Sequence, residues 1–224
     1  MLDISVLVTC YQKEKYLDEC ITSLVRQTQK PKEIIVVHDG CPEPMHHAQA
    51  TSIMLKNNIG VARARHEAFR YSTGSLILFV DGDDVLSPDY LEKMTNVIAS
   101  GSDIAYPDIY FYMPTGGSLS SIPEVDISLV HKVQKVPIPI SSLMKREVYE
   151  KVGKFSDHPV LEDMDFWLRA MCKDYTFKRA ETLLWYRQEG EKRNNVDELF
   201  RKQILKEILS QFEITQKTIC QKHT

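Results

Sequence analysis

The stretch Ser75-Leu76-Ile77-Leu78-Phe79-Val80-Asp81-Gly82-Asp83-Asp84 decides the fold of this 224-residue chain. A short, continuous apolar run that ends in turn residues predicts a strand buried on both faces of a sheet. Its carboxyl end would place three aspartates at the rim of an α/β sheet, where ligands bind in such folds. Carboxylates this close repel one another, and a hard divalent cation commonly relieves the repulsion. The alternative is an Asp-Gly turn with solvated acids.

Strand-like and helix-like segments alternate on both sides of this stretch. Buried strands are predicted over residues 4–9 and 33–38, with a short strand at 53–55. Helices are predicted over residues 13–27, 46–50 and 60–71, and from residue 87 to about residue 100. This β-α alternation predicts an α/β fold with a mostly parallel sheet and right-handed crossovers.

The second half of the chain has a different pattern. Residues 103–113 and 176–186 are strand-like, and residues 162–173 predict a helix. Residues 114–134 carry Gly-Gly and many serines, which predicts a loop that could close as a lid. Residues 196–219 predict an amphipathic terminal helix.

Composition excludes several classes of protein. The chain is 43% hydrophobic and 26% charged, with a net charge of -3, so no overall charge attracts nucleic acid or an anionic membrane. The sequence shows no apolar run of membrane-spanning length and no basic leader, which predicts a cytoplasmic protein. Five scattered cysteines without a CxxC pair predict reduced thiols and argue against a zinc site or a disulfide framework.

Acidic residues fall at three strand or loop ends that are predicted to face one crevice: Asp39, the cluster at residues 81–84, and the pair Glu162-Asp163. A nucleotide would explain each of them: Asp39 could accept a hydrogen bond from a base or a ribose, Asp81 could bind the ribose, and Asp83 could hold a metal. GxxxxGK[ST] and GxGxxG loops are absent, so a metal would have to neutralise the phosphates. Arg63 and Arg65 are candidates to assist, unless they form a solvated helix face.

Several motifs occur together in a characteristic order. They are residues 6–11 (VLVTCY), 33–40 (EIIVVHDG), 58–66 (NIGVARARH), 81–84 (DGDD) and 161–169 (LEDMDFWLR). In this order and spacing the chain resembles the inverting glycosyltransferases of family 2, which have the GT-A fold, a Rossmann-like fold for nucleotide-diphosphate sugars. The resemblance runs from about residue 4 to residue 187 and includes an acceptor-side segment at 140–155.

The resemblance implies a role for each matching residue. It places the nucleoside at Thr9, Tyr11 and Asp39, the ribose at Asp81, and a Mn²⁺ or Mg²⁺ ion on Asp83. Asp163 would be the catalytic base, because an inverting transfer needs a carboxylate to take the proton of the acceptor hydroxyl. Two further acids complete the expected site, with acceptor contact or support of the loop as their roles: Glu162 and Asp84.

The resemblance also implies a domain plan and partners. Residues 1–190 would form the GT-A catalytic domain, with a nucleotide-binding half at 1–100 and an acceptor-side half at 101–190. Residues 191–224 would be a C-terminal helical extension. The expected donor is a nucleotide-diphosphate sugar, with a UDP-sugar as the first choice. The expected acceptor is a hydroxyl of a glycan or lipid-linked glycan.

Other interpretations remain open at the level of sequence. The acceptor could be a modified nucleobase or a protein side chain, or the chain could be a non-catalytic nucleotide-sugar binding module. The terminal helix could contact the inner face of a membrane peripherally or form a homodimer, or it could pack on its own domain. The sequence also departs from the family pattern: His38 replaces an aspartate, His66 replaces an asparagine, and Cys10 replaces a small residue or proline.

Overall fold

The computed structural model describes residues 3–113, 116–123, 137–187 and 198–220. The strands in these ranges form one nine-stranded sheet: β1 (Ile4–Cys10), β2 (Glu33–Asp39), β3 (Thr51–Leu55), β4 (Leu76–Asp81), β5 (Val85–Leu86), β6 (Ile104–Met113), β7 (Gly116–Ser120), β8 (Leu143–Lys145) and β9 (Phe177–Arg187). The helices in these ranges are α1 (Glu14–Val25), α2 (Val61–Tyr71), α3 (Tyr90–Ala99), α4 (Arg146–Val152), α5 (Glu162–Met171) and α6 (Glu198–Cys220).

The sheet has the order β3-β2-β1-β4-β8-β6-β9-β5, and β7 pairs with β6. Strands β3, β2, β1 and β4 are parallel neighbours. Strand β8 lies antiparallel between β4 and β6, so β6 and its parallel neighbour β9 run in the same direction as β4. The mostly parallel α/β sheet predicted from the sequence is confirmed. The carboxyl ends of β1, β2 and β4, which are far apart in sequence, lie at the same edge of this sheet.

Hydrophobic cores cover both faces of the sheet, which explains why the central strands are apolar throughout. On one face, Leu7 and Phe79 pack with α2, α5 and α6. On the other face, Val8 and Val80 pack with α1 and α3. Because side chains alternate along a strand, adjacent residues of one strand serve opposite cores. The same alternation sends Thr9 and Cys10 to opposite faces.

Two local predictions were wrong. Residues 46–50 form no helix, because this short and mostly exposed segment has no apolar face to bury. Residues 116–120 belong to β7 instead of a loop, because they pair antiparallel with residues 109–113 of β6. The rest of the predicted loop is partly outside the described residues, at 114–115 and from 124 onward.

The terminal helix α6 packs against its own domain. Ile204, Ile208 and Phe212 are buried in the core that also contains α2 and α5. Leu199 and Phe200, at the start of the helix, are exposed. Leu205 and Leu209 are partly buried against the same core, so most of the apolar stripe of this helix is used for intramolecular packing. Among the described residues, none of the helices is long and apolar enough to cross a membrane.

The turn after β2 requires glycine at position 40. Gly40 has a φ of +74°, and a Cβ there would lie 2.4 Å from the backbone nitrogen of Asn58. We expect Gly40→Ala to lower the free energy of unfolding by about 3 kcal/mol, since left-handed strain and a backbone clash add together. Chemical denaturation measures this loss.

Gly101 supplies the control for that variant. It has a φ of +112°, but a Cβ there would meet nothing within 4 Å. Gly101→Ala should therefore cost only the conformational strain, about 1–2 kcal/mol. Equal losses for the two variants would show that the contact with Asn58 has no energetic consequence.

Candidate active site

The carboxyl ends of three parallel strands form one wall of a crevice. Thr9 of β1 pairs in register with Val37 of β2 and Asp81 of β4. Thr9, Asp39 and Asp81 therefore meet at the same edge and line a crevice with a volume of about 590 Å³. Tyr11 also lines it, with 44% of its surface exposed at the mouth. The structure thus brings together the residues that the sequence suggested for the nucleoside.

Asp39 organises the turn that precedes α2. It is buried, and its carboxylate accepts hydrogen bonds from Asn58 Nδ2 at 3.1 Å, Ile59 N at 2.7 Å and Gly60 N at 3.1 Å. A carboxylate has about four acceptor positions, so these three bonds leave capacity for one ligand donor. Asp39 supports the crevice wall, and its contact with a base stays a prediction.

The acids after β4 are held by nearby basic residues. Asp83 is buried, and its Oδ2 lies 3.4 Å from the ammonium of Lys13. Arg187 Nε donates to the backbone oxygen of Asp83 at 3.3 Å. Asp84 is also buried, and its N–H donates to the backbone oxygen of Asp81 at 3.0 Å, which closes the turn. Asp83 and Asp84 both line the crevice, and the backbone of Asp84 closes the turn that carries them.

Asp83 fits a hard divalent metal ion. Its carboxylate oxygens are the donor type that Mg²⁺ and Mn²⁺ prefer. The Lys13 ammonium beside it shows that this position already attracts a cation. The Lys13 side chain is 34% exposed, so it can move aside into solvent. Asp83 could hold the metal directly, with the other acids of the turn nearby.

Arg65 connects the two halves of the crevice. Its guanidinium is buried and donates to Asp81 Oδ1 at 3.0 Å and to Glu162 Oε1 at 2.8 Å. Burial alone would lower the pKa of Arg65, but the charges of Asp81 and Glu162 outweigh burial and raise it. Arg65 also lies over the ring of Phe155, 5.4 Å from its centroid. Its charge thus neutralises carboxylates from both walls.

Arg63 has a different environment, although it lies only two residues earlier. It forms a two-bond ion pair with Asp157, and both side chains are 63% exposed. The prediction that Arg63 assists at the phosphates has no geometric support, because this pair lies outside the crevice lining. Arg63 therefore lies on a solvated helix face, which was the alternative considered for both arginines, whereas Arg65 is buried.

The crevice wall formed by Thr9, Tyr11, Asp39 and Asp81 is called the nucleotide wall below. Asp163 lines the same crevice from the first turn of α5. Burial and then the negative charge of Glu162 raise its pKa to about 6, against the opposing effects of Arg65 and the Met164 N–H. The Met164 N–H donates to Asp163 Oδ1 at 2.7 Å. A carboxylate with a pKa near 6 is ionised at neutral pH and is basic enough to accept a proton.

Sequence reasoning missed two polar residues of the crevice, Lys13 and Asn58, and one beside it, Arg187. Lys13 and Arg187 flank Asp83, and Asn58 bonds to Asp39. Arg187 is 104 residues from Asp83, so local sequence carried no signal for their contact. Asn58 lies in the segment 58–66, whose resemblance could have indicated it.

Comparison with known proteins decides the family. The model of "Glycosyl transferase family 2" matches residues 5–161, which is more than half of the chain. The chain belongs to glycosyl transferase family 2. The recognition made from the motifs is therefore confirmed, and the protein is a glycosyltransferase.

Curated relatives carry the same designation. The glycosyltransferase YwdF of Bacillus subtilis is 28% identical over 193 residues, which cover 80% of this chain and 71% of that protein. The amylovoran biosynthesis glycosyltransferase AmsE of Erwinia amylovora is 26% identical over 188 residues, which cover 75% of this chain and 69% of that protein. The chain thus spans about 70% of the length of these two family members.

Solved structures confirm the fold. TarS 1-349 of S. aureus in complex with UDP-GlcNAc superposes with a TM-score of 0.67 at 19% identity, covering 93% of this chain and 72% of TarS 1-349. The family 2 chain has the GT-A fold, an α/β fold with a mostly parallel, curled sheet and a C-terminal helix. At this identity the likeness establishes architecture alone.

Proposed function

We propose that this family 2 glycosyltransferase transfers a sugar from a UDP-sugar to an acceptor hydroxyl, with inversion at the sugar carbon. One observation carries the proposal: a carboxylate with a raised pKa, Asp163, lies across the same crevice from Asp81 and Asp83. The complex of the fold neighbour TarS with UDP-GlcNAc supports the choice of donor.

The nucleotide wall would bind the donor through its polar groups. Thr9, Tyr11 and Asp39 would surround the nucleoside, and Asp81 would accept a hydrogen bond from a ribose hydroxyl. Asp83 would hold Mg²⁺ or Mn²⁺, which when bound stabilises negative charge on the diphosphate. Lys13 and Arg187 lie beside Asp83 and would add positive charge at the same end of the donor.

The opposite wall would carry the proton transfer. The acceptor hydroxyl attacks the sugar carbon that bears the diphosphate, from the face away from it. As the new C–O bond forms, the acceptor proton passes to a carboxylate oxygen of Asp163. The bond to the diphosphate breaks, and its electron pair leaves with the nucleotide. Glu162, held by Arg65, would orient the acceptor.

Arg65 interacts electrostatically with acidic side chains of both walls. Its charge opposes the rise in the pKa of Asp163 that burial and Glu162 produce. It also forms ion pairs with both Asp81 and Glu162, so its own buried charge is compensated from both walls. We infer that Arg65 is a positioning residue for both walls, in addition to lining the donor site.

The acceptor belongs, in our proposal, to a glycan or a lipid-linked glycan. The relative AmsE is named for amylovoran biosynthesis, which supports a saccharide acceptor. Neither of the two relatives described above is named for a modified nucleobase or a protein acceptor.

A donor assay tests the proposed activity. Purified protein is incubated with UDP-GlcNAc and other UDP-sugars in the presence of Mn²⁺ or Mg²⁺, and released UDP is measured together with thermal shift. A transferase should release UDP slowly by donor hydrolysis even without an acceptor. Stabilisation by UDP without any release would instead indicate the non-catalytic binding module.

The variant Asp83→Asn tests the proposed metal ligand. We expect it to weaken Mn²⁺-dependent UDP binding by about 100-fold, since the metal contributes several kcal/mol at the diphosphate. Calorimetry with and without Mn²⁺ measures the change. Asp89→Asn is the control, because Asp89 is 40% exposed and pairs with Lys93. Equal UDP affinity for the two variants would refute the assignment of Asp83.

A further inference from the structure

A second group of ligand-type side chains meets beside the nucleotide wall, and one of them, Cys10, also lines the crevice. Cys10 and His38 are register partners on the parallel strands β1 and β2, and both are buried. Cys41 lies in the turn after β2. One ligand atom from each of the three residues lies within 4.8 Å of the others.

Three polar atoms on two side chains in this region have no hydrogen-bond partner in the described part of the chain. Both ring nitrogens of His38 are buried without one, and so is Oε1 of Glu14. A buried polar group without a partner is costly, so such atoms require an explanation. Cys41 Sγ donates weakly to the backbone oxygen of Cys10 at 3.1 Å and leaves the imidazole unsatisfied.

Glu14, in the first turn of α1, borders the same cluster. Burial raises the pKa of the Cys10 and Cys41 thiols, and the negative charge of Glu14 adds to the rise at both. The Glu14 carboxylate lies outside the 4.8 Å group, but its negative charge acts on all three members. A cation among them would offset the negative charge and give a partner to one ring nitrogen of His38 and to Glu14 Oε1.

We propose that Cys10, His38 and Cys41 bind a divalent transition-metal ion, preferentially Zn²⁺, with Glu14 as the fourth ligand. Thiolate and imidazole donors select Zn²⁺ over the Mg²⁺ or Mn²⁺ expected at Asp83. In a tetrahedral site with Zn–S bonds of about 2.3 Å, two sulfur atoms lie about 3.8 Å apart. The cluster would contract by at most about 1 Å, and both thiol protons would leave to solvent as the ion binds.

The ion would connect the end of β1 to the turn after β2. These segments carry Thr9, Tyr11 and Asp39, which line the nucleotide wall of the crevice. The site is therefore structural, and it differs in position and donor chemistry from the one proposed at Asp83. It would stiffen the nucleoside side of the crevice without contacting the sugar.

Metal titration of the full chain tests this inference. Protein is stripped with a chelator under reducing conditions, and Zn²⁺ is then added in competition with a chromophoric chelator. Co²⁺ replaces Zn²⁺ in a parallel titration, because cobalt–thiolate charge transfer reports sulfur ligation directly. The test variants are Cys41→Ser, at a half-buried position that is less prone to misfold, and His38→Gln.

Two control variants separate this site from other metal-binding groups. Cys172→Ser removes a half-buried thiol outside the cluster. Asp83→Asn removes the oxygen ligand of the other proposed site. Both should keep one equivalent of Zn²⁺ and the cobalt–thiolate absorption. Cys41→Ser and His38→Gln should weaken Zn²⁺ binding at least about 100-fold.

Three outcomes would overturn the proposal. They are Zn²⁺ affinity unchanged in Cys41→Ser, cobalt binding without thiolate absorption, and a Cys10–Cys41 disulfide in the protein as isolated that persists in place of metal. A Zn²⁺-dependent rise in Tm that is lost in Cys41→Ser would support it, since an ion that binds only the folded state stabilises that state.

Discussion

The variant Asp163→Asn should lower kcat by about 10³-fold while leaving UDP affinity close to that of the wild type. A positioned general base contributes about 10²–10⁴-fold to rate, and asparagine keeps the shape of the side chain but accepts no proton. Steady-state kinetics with a UDP-sugar and its acceptor measures kcat. Calorimetry with UDP shows whether the nucleotide wall is intact.

Asp157→Asn is the matched control for this loss. Asp157 is an exposed aspartate that lies outside the crevice and pairs with Arg63. The same chemical change there should leave kcat unaltered. A kcat for Asp163→Asn within tenfold of the wild type would contradict the assignment of the base.

The pH dependence gives a second readout of the same group. Asp163 must be ionised to accept a proton, and burial together with Glu162 raises its pKa to about 6. The rate should therefore be constant above about pH 6 and fall about tenfold per unit below it. In Asp163→Asn this acidic limb should disappear from the residual activity. A limb that persists unchanged would belong to another group.

The variant Arg65→Met should lower the free energy of unfolding by about 3–5 kcal/mol. Breaking a buried ion pair by removing one partner leaves uncompensated buried charge, and that is the usual magnitude of the cost. Arg65 lies between Asp81 and Glu162 with only 4% of its side chain exposed. Methionine fills similar volume, so the loss reports charge more than packing. Denaturant titration at neutral pH measures it.

Arg63→Met is the control on the same helix. Arg63 pairs with Asp157 at the surface, where solvent screens the interaction, so its removal should cost a small fraction of the loss at Arg65. Equal losses of unfolding free energy in the two variants would show that the buried ion pairs stabilise the fold no more than the exposed pair does. Arg65→Met should also move the acidic limb of the rate profile to higher pH, because Arg65 lowers the pKa of Asp163. A merely structural role would not move that limb.

Much of the site followed from local sequence signals. The apolar run before Asp81 predicted a doubly buried strand whose end delivers acids to the rim, and the structure confirms this position. The motif order predicted Asp163 at the start of a helix facing the same crevice. The first prediction depends on residues that are adjacent in the chain, and the second on the order of short motifs, each of which spans a few residues.

Other features of the fold and the site depend on contacts between residues that are far apart in the sequence, which a local sequence pattern does not indicate. Residues 116–120 became a strand only because β6 offers an edge for pairing. The role of Arg65 depends on Glu162, which is 97 residues away. The scattered cysteines argued against a metal site, yet the register of β1 with β2 places Cys10 beside His38.

The sequence by itself determined the parallel α/β sheet, the family and the acids that line the crevice. It could do so because hydrophobic periodicity and strand ends are local properties of the chain. Only the tertiary structure decided which basic side chain pairs with which acid. On helix α2, Arg65 is buried and pairs with Asp81, whereas Arg63 is exposed and pairs with Asp157. It also decided that Cys10, His38 and Cys41 meet. Strand register and helix packing set these contacts, and both arise from the whole fold.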